Sequence, residues 1–175
     1  MTGHSRGFAA ISDPSARVLI LGSLPGAESL KRQQYYAKPQ NAFWRMMGDL
    51  VGAGPQLPYE ERTGALKNAG IALWDVCASA HRIGSLDSAI KDHAANDFAK
   101  FYSGHPQLRI ICFNGQKAAA IYRRTVAQDL PEAMQLLRVE VLPSTSPANA
   151  GTPYEEKLRQ WSLILQYLPR RQGES

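Results

Sequence analysis

Four short apolar runs constrain the fold of this chain more than any other feature of its sequence. They span residues 17–21, 71–77, 108–113 and 136–142, and helical periodicity fills most of the intervals between them. Continuous apolar strands are typical of parallel sheets, because the crossover helices cover both faces of such a sheet. The sequence therefore predicts an α/β protein, a three-layer α/β/α sandwich with a central four-stranded parallel sheet.

The 175 residues suit one domain with a substantial core. We expect a flexible N-terminal arm over residues 1–16, a single domain over 17–169 and a C-terminal tail over 170–175. Between the second apolar run and the next helix, residues 78–90 are predicted to form an irregular loop with a short helix. No internal repeat or linker divides the chain.

Composition narrows the function classes. The 20 Lys and Arg against 15 Asp and Glu give a net charge of +5, which favours a polyanionic partner without requiring one. Cys77 and Cys112 lie in apolar runs and are predicted to be buried thiols, and no spacing indicates a metal or iron–sulfur site. No signal peptide or membrane span is evident, so we expect a cytoplasmic monomer with no membrane association.

Polar and turn-forming residues follow each apolar run. Right-handed crossovers bring the carboxyl ends of parallel strands to one edge of the sheet. The residues predicted to meet there are the GSLPG loop at 22–26, Asp75, Asn114 and the loop at 144–149. Open α/β sheets place their binding sites at this edge. GSLPG lacks the spacing of nucleotide-binding loops, so no cofactor is expected.

The residues alone leave two roles open for each part of this edge. Gly22 and Gly26 suit either a simple turn or close approach of backbone amides to a ligand. Asp75, closing a buried strand, is either a satisfied structural acid or a reader of N–H groups on a ligand. Asn114 is more simply the cap of the following helix than a ligand contact.

Aromatic and hydroxyl side chains carry similar alternatives. Tyr35 and Tyr36 suit half-buried packing or a stacking platform for a flat base. The PSTSPANAG stretch at 143–151 suits a solvated turn or a phosphate-binding loop. Neither a Ser-His-Asp arrangement nor a paired-carboxylate motif stands out. Chemistry at this edge would therefore depend on amides, hydroxyls, backbone dipoles and one Asp.

Taken in order, the motifs of residues 17–149 resemble the uracil-DNA glycosylase superfamily. The resemblance is greatest to its hypoxanthine-DNA glycosylase (DNA-deoxyinosine glycosylase) branch. It is carried by the following stretches, in this order along the chain: GSLPG, QYY, PQNAFW, LWDV, RIGSLDS, FNGQKA and LPSTSPAN. It implies a uracil-DNA glycosylase-like fold and hydrolysis of the N-glycosidic bond of a deaminated base flipped out of DNA, as in base excision repair.

Three positions depart from other branches of that superfamily. Leu24 stands where the mismatch-specific branch has a catalytic Asn, and Leu142 stands where classical uracil enzymes have a His. Asp75 aligns with the Asn that reads uracil. The resemblance implies that Asn41 takes over the water-positioning role and that base preference differs from strict uracil specificity.

The resemblance assigns the remaining roles. Tyr36 would stack on the base, and Asp75 with Asn114 would read its edge. The residues expected to surround the base are Gly22, Ser23, Leu24, Pro25, Gly26, Tyr36, Asp75 and Asn114. Those expected to hold the DNA backbone are Lys38, Ser144, Thr145, Ser146, Pro147 and Asn149.

Three other functions fit parts of the pattern. The first is a glycosylase of the same superfamily that prefers uracil or mispaired thymine. The second is a non-catalytic nucleic-acid-binding module on the same fold, which Leu24 favours. The third is a flavodoxin-like small-molecule binder, which the missing phosphate-binding fingerprint disfavours.

Overall fold

The computed structural model describes residues 2–83 and 90–170. Its strands within those ranges are β1 (Thr2–Arg6), β2 (Val18–Gly22), β3 (Ile71–Asp75), β4 (Cys77–Ile83), β5 (Ile90–Ala95), β6 (Ile110–Asn114) and β7 (Arg138–Leu142). Its α-helices there are α1 (Ala27–Arg32), α2 (Phe43–Val51), α3 (Tyr59–Ala69), α4 (Phe98–Gly104), α5 (Gln116–Thr125), α6 (Glu132–Gln135) and α7 (Tyr154–Trp161). Short 3₁₀ helices occupy Ala127–Asp129 and Ser162–Tyr167.

The central sheet has the order β3-β2-β6-β7, and its neighbouring strands pair in parallel. The four apolar runs thus form the four predicted parallel strands. The register sets Gly22, the last residue of β2, directly beside Asp75, the last residue of β3. Two residues that are 53 positions apart in sequence therefore end neighbouring strands at the same edge.

Two apolar cores lie on opposite faces of this sheet. Leu19 and Leu21 of β2 face one core with α4 and α5, whereas Val18 and Ile20 face the other with α2, α3 and α7. This alternation follows from the two-residue period of a strand. Burial of each such side chain stabilises the fold by roughly 1.5–3 kcal/mol. The two cores confirm the predicted three-layer α/β/α architecture.

The local structure outside the central sheet differs from the sequence prediction in two places. Residues 78–83, predicted as the start of an irregular loop with a short helix, belong to β4, which pairs antiparallel with β5 from Ile90 onward, whereas residues 84–89 lie outside the described residues. Within the segment predicted as a loose arm, β1 pairs with β4, and Ile11 forms an antiparallel bridge with Leu73. Distant pairing partners supply the backbone hydrogen bonds that local sequence signals do not reveal.

Two segments for which the sequence makes predictions lie outside the described residues. One is residues 84–89, which include most of the RIGSLDS motif, and the other is residues 171–175 of the C-terminal tail. In the parts of the chain that are described, no helix has the length and apolarity needed to cross a membrane.

Candidate nucleic-acid-processing site

A single large cavity collects the predicted site residues at the carboxyl edge of the central sheet. Its volume is about 1200 Å³, and all the residues named above as catalytic, base-binding or DNA-binding candidates line it. That volume exceeds the roughly 300–1,000 Å³ typical of small-molecule pockets. The cavity therefore has room for more than one isolated planar ring.

Gly22 is the point where two functional groups come together. A Cβ atom at this position would lie 2.6 Å from Oδ1 of Asp75 and 2.9 Å from the hydroxyl oxygen of Tyr36. Real side chains do not tolerate such distances, so only glycine allows both oxygens to approach this backbone. The close approach that a glycine permits is therefore present at Gly22. The groups that approach its backbone are the side chains of Asp75 and Tyr36.

Asp75 is a buried carboxylate whose backbone is fixed on two sides. Asp75 is among the residues that line the cavity, and it is only 4% exposed. Its carbonyl accepts a hydrogen bond of 2.7 Å from Nδ2 of Asn96, while the N–H of Val76 donates to the Gly22 carbonyl. Burial, followed by the negative charge of Asp75, raises the pKa of Tyr35. The backbone at Asp75 is therefore fixed, and the charge of its carboxylate acts on Tyr35.

The other loop residues show why this chain departs from the mismatch-specific pattern. Leu24 is buried in the core cluster that includes Val76 and Phe98, so it packs apolar surface and offers no polar group. Ser23 is also buried, and its carbonyl accepts from the N–H of Cys77. The first motif is consequently a rigid wall of the cavity with no side chain suited to hold water at Leu24.

Tyr36 has both a strained backbone and a packed ring. Its φ of 52° lies in the left-handed region, which non-glycine residues seldom adopt. Its ring stacks on Phe43 with centroids 4.2 Å apart and an interplanar angle of 28°. Strain of this kind is retained only where surrounding contacts enforce it. The half-buried ring is thus held in one orientation at the cavity wall.

Asn41 lies at the entrance to α2, where one hydrogen bond holds its side chain and another holds its backbone. Its Oδ1 accepts from the N–H of Phe43 at 2.9 Å, and its own N–H donates to the Lys38 carbonyl at 2.9 Å. The next residue, Ala42, donates its N–H to the Thr145 carbonyl at 3.0 Å. The two loops that flank the cavity are therefore connected beside Asn41.

Asn114 and Thr145 both line the cavity, but Asn114 is not the helix cap that its sequence position suggests. Asn114 does not cap α5, whose preceding residue Gly115 has a φ of 94°. Instead its side-chain amide bonds both the hydroxyl and the N–H of Thr145, which is 1% exposed. These contacts direct Asn114 toward Thr145 and bury the Thr145 hydroxyl. The pair holds a loop in place at the cavity wall.

The rest of the second motif is a loop that satisfies its own backbone. Oγ of Ser144 accepts from the N–H of Ser146, and Oγ of Ser146 accepts from the N–H of Ala148, both at 3.2 Å. Nδ2 of Asn149 donates to the Ser144 carbonyl at 3.1 Å. Pro147 is exposed at the tip. This internal bonding gives the loop a defined shape at the cavity rim.

Several cavity residues were not singled out by sequence reasoning. Gln116 belongs to the FNGQKA motif and lines the cavity, but no sequence pattern predicts a role for this glutamine. Glu28 is paired with Arg32 at 2.7 Å, and Asn96 supports Asp75 from outside the lining. The further polar residues that line the cavity are Ser29, Gln40, Thr152 and Gln160. Among the described residues, no group of three His, Cys, Asp or Glu side chains is arranged to hold a metal ion.

Comparison with known proteins agrees with this geometry. Residues 9–168 match the model of the uracil DNA glycosylase superfamily, so the chain belongs to that superfamily. A relative named hypoxanthine DNA glycosylase, from Methanosarcina acetivorans, is 44% identical over 168 residues, covering 93% of this chain and 98% of the relative. A second protein of that name, from Methanosarcina barkeri, is 41% identical over 114 residues, covering 65% and 72% of the two chains.

The fold has a counterpart among solved structures. It is the solution NMR structure of a candidate uracil DNA glycosylase from Methanosarcina acetivorans. The two chains superpose with a TM-score of 0.77 at 38% identity, covering 94% of this chain and 98% of the other. The agreement confirms the uracil-DNA glycosylase-like fold that the order of motifs predicted.

Proposed function

We propose that this protein is a DNA glycosylase of base excision repair that releases hypoxanthine, the base named in the description of its Methanosarcina relatives. Water would add to C1′ of the deoxyribose as the bond from C1′ to the base breaks. The target nucleotide would first leave the duplex and enter the cavity. We propose that the enzyme acts as a cytoplasmic monomer and uses no metal ion or cofactor.

The observation that carries this proposal is the buried Asp75 carboxylate at the cavity wall. An ionised carboxylate only accepts hydrogen bonds. Hypoxanthine presents an N1–H beside a carbonyl, whereas adenine, from which it arises by deamination, presents a bare N1 acceptor at the same position. Asp75 would therefore attract the deaminated base and repel adenine.

The same argument makes uracil a second candidate substrate. Deamination of cytosine converts its N3 acceptor into an N3–H next to a carbonyl. A carboxylate that accepts from the N1–H of hypoxanthine could accept from this group too. The preference between the two bases would then depend on the fit of a purine or a pyrimidine against Tyr36.

Tyr36 would serve as the platform for the flipped base. Phe43 covers part of its ring, and Tyr36 also lines the cavity, which leaves aromatic surface for a ligand. Stacking of a base on an aromatic side chain contributes about 1–3 kcal/mol. The platform and Asp75 meet at Gly22, so one rigid unit would contact both the face and the edge of the base.

Asn41 would position the attacking water. A side-chain amide oxygen has two lone pairs. One accepts from the N–H of Phe43, which fixes the side chain, and the other is available to a water molecule. Because an amide is neutral, Asn41 would orient and polarise the water more than deprotonate it.

Stabilisation of the departing base would come from a different part of the site. Negative charge develops on the base as its bond to C1′ breaks, and a neighbouring carboxylate opposes that charge. We therefore assign base selection to Asp75 and charge stabilisation to backbone amides of residues 22–26. Asp75 could not fill both roles, because the negative charge that accepts the N–H of the base would repel the charge that develops on the departing base.

The rim of the cavity would hold the DNA backbone. Lys38 is exposed beside the cavity and would contact a phosphate. Ser144, Ser146, Pro147 and Asn149 would present the second loop to neighbouring phosphates or sugars. We assign Asn114 and Thr145 to positioning that loop, in keeping with their mutual hydrogen bonds.

The decisive experiment measures base release from duplexes that each contain one hypoxanthine, one uracil or one G:T mismatch. We expect the wild-type protein to release hypoxanthine, and Asn41→Ala to bind that duplex while losing most of the release. Asn68→Ala, which removes an exposed asparagine of α3, is the matched control. Full release by Asn41→Ala would remove Asn41 from the mechanism.

A second variant tests the role of Asp75. Asp75→Asn places an N–H donor opposite the N–H of the base, so we expect release of both hypoxanthine and uracil to fall. Unchanged release of both bases would contradict base reading by Asp75. Binding of lesion-containing DNA by the wild-type protein without release of any base would instead support the non-catalytic module.

A further inference from the structure

Tyr35 is anchored by three hydrogen bonds that lead to three separate segments. Its N–H donates to the Tyr59 hydroxyl at 3.0 Å, and its carbonyl accepts from Nε1 of Trp44 at 2.8 Å. Its hydroxyl donates to the carbonyl of Ala9 at 2.9 Å. The residue is 3% exposed, so the loss of any of these contacts would leave a polar group poorly solvated.

The backbone on both sides of Tyr35 adopts a disfavoured conformation. Gln33 has a φ of 54° and Tyr36 a φ of 52°, and they are the two non-glycine residues with positive φ in the described chain. Such conformations persist where the surroundings enforce them. The three bonds of Tyr35 lie between these two strained positions and next to the residue assigned as the base platform.

The Ala9 anchor belongs to a segment that also supports Asp75. The Phe8 carbonyl accepts from Nε1 of Trp74 at 3.1 Å, and Trp74 immediately precedes Asp75. The Phe8 ring packs edge-on against the Tyr35 ring with centroids 5.2 Å apart. The backbone of Phe8 and Ala9 thus braces the residues next to the platform and next to the carboxylate.

We propose that Tyr35 is a positioning residue for base excision, which acts by holding Tyr36 in the orientation that receives the base. This inference rests on the proposed function of the site. Tyr35 itself would not touch the base. Its hydroxyl fixes the backbone at residues 35–36 against the N-terminal segment, so that the Tyr36 ring stays beside Gly22 and against Phe43.

The test compares Tyr35→Phe with Tyr102→Phe. Both variants lose one buried tyrosine hydroxyl, because Tyr102 is bonded to the Tyr122 hydroxyl at 2.6 Å within the opposite core. We expect similar decreases in thermal midpoint. We expect Tyr35→Phe alone to slow single-turnover hypoxanthine release about 10-fold or more, since small misplacements at a site are costly. Equal release rates for the two variants would overturn the proposal.

A double-mutant cycle separates positioning from general structural damage. If Tyr35 acts through Tyr36, Tyr35→Phe should slow release in the wild-type background and have little further effect in Tyr36→Ala. An equal fold-loss in both backgrounds would overturn the proposal. Should Tyr35→Phe fail to fold, Tyr59→Phe replaces it in the same cycle, because that variant removes the acceptor of the Tyr35 N–H.

The readouts distinguish this proposal from the proposed function. If the wild-type protein releases no base, the proposed function fails, and the cycle is then measured as affinity for hypoxanthine-containing DNA. Coupling between Tyr35 and Tyr36 in that affinity would still support positioning, and its absence would overturn it. If the wild-type protein releases base and the cycle shows no coupling, only the role of Tyr35 fails.

Discussion

Asn114 and Thr145 form a reciprocal pair of buried hydrogen bonds. Nδ2 of Asn114 donates to Oγ1 of Thr145, and the Thr145 N–H donates to Oδ1 of Asn114, both at 2.9 Å. One residue ends β6 and the other lies just beyond β7, so the pair connects the carboxyl ends of neighbouring strands. Because the Thr145 carbonyl also accepts from Ala42, this pair connects the second loop to the start of α2.

Removal of this pair should weaken both the fold and the site. Asn114→Ala leaves the buried N–H and hydroxyl of Thr145 unsatisfied, which costs about 1–3 kcal/mol. We expect that loss in the free energy of unfolding measured with urea, together with slower base release. Thr125→Val is the control, since its hydroxyl bonds only the Ile121 carbonyl within α5. Unchanged stability of Asn114→Ala would contradict this account of the pair.

Gly22→Ala should damage the site more than the fold. The added methyl group would meet the Asp75 carboxylate and the Tyr36 hydroxyl, so at least one of them must move. A displacement of about 1 Å near the reacting groups can lower a rate about 10²-fold. Overpacking of a core position costs roughly 1–3 kcal/mol of stability. Single-turnover release and urea unfolding measure the two effects.

The control for Gly22→Ala is Gly64→Ala. A Cβ at Gly64 meets no atom within 4 Å, and the residue lies inside α3. Alanine there should stabilise the protein by about 0.5–1 kcal/mol through helix propensity, with no change in base release. Equal activity of Gly22→Ala and wild type would show that the contact at Gly22 is unimportant for the reaction.

Local and distant contacts explain which features the sequence could predict. The apolar run of β2 predicted a buried strand because each of its residues is buried on one face or the other. The pairing of β1 with β4 does not follow from the sequence pattern, since the two strands lie more than 70 residues apart in the chain. A short run of small and polar residues gives no local sign of that pairing.

The candidate site shows the same division. The edge location of Asp75 followed from the strand pattern, which needs no knowledge of side-chain partners. A local rule predicts that Asn114 caps the following helix, but its hydrogen-bond partner Thr145 lies 31 residues away. The sequence does not predict that Gln116 and Asn96 belong to the site. A single glutamine or asparagine indicates no function until the fold shows which groups lie next to it.

The buried thiol of Cys112 predicts a pH effect on stability. Burial, followed by the charge of Glu140, raises the pKa of Cys112 to about 12. The neutral thiol is favoured in the folded state, so its contribution is complete below the unfolded pKa of about 8.5. It is lost progressively as the pH rises toward 12, because the unfolded thiol ionises first.

Thiol chemistry measures this prediction. At pH 8 a thiol-reactive chromogenic disulfide should leave the native protein largely unmodified and react with both cysteines in denaturant, since Cys77 is buried as well. Cys112→Ser should flatten the alkaline part of the stability profile relative to Cys77→Ser. Rapid modification of Cys112 in the native protein at pH 8 would contradict its burial.

Lys38 should contribute to DNA affinity through charge and not through the fold. Its side chain is exposed at the cavity, whereas its carbonyl, which accepts from Asn41, is kept in Lys38→Ala. Loss of one phosphate contact lowers the slope of log affinity against log salt by about 1. The control is Lys67→Ala, which removes an exposed lysine in the last turn of α3, at the amino edge of the sheet, and should keep the wild-type slope.

Because counterion release depends on the number of phosphates contacted and not on the base, the change in slope caused by Lys38→Ala should be the same for hypoxanthine-containing and undamaged duplexes. A loss confined to the hypoxanthine duplex would instead indicate that Lys38 takes part in recognition of the base.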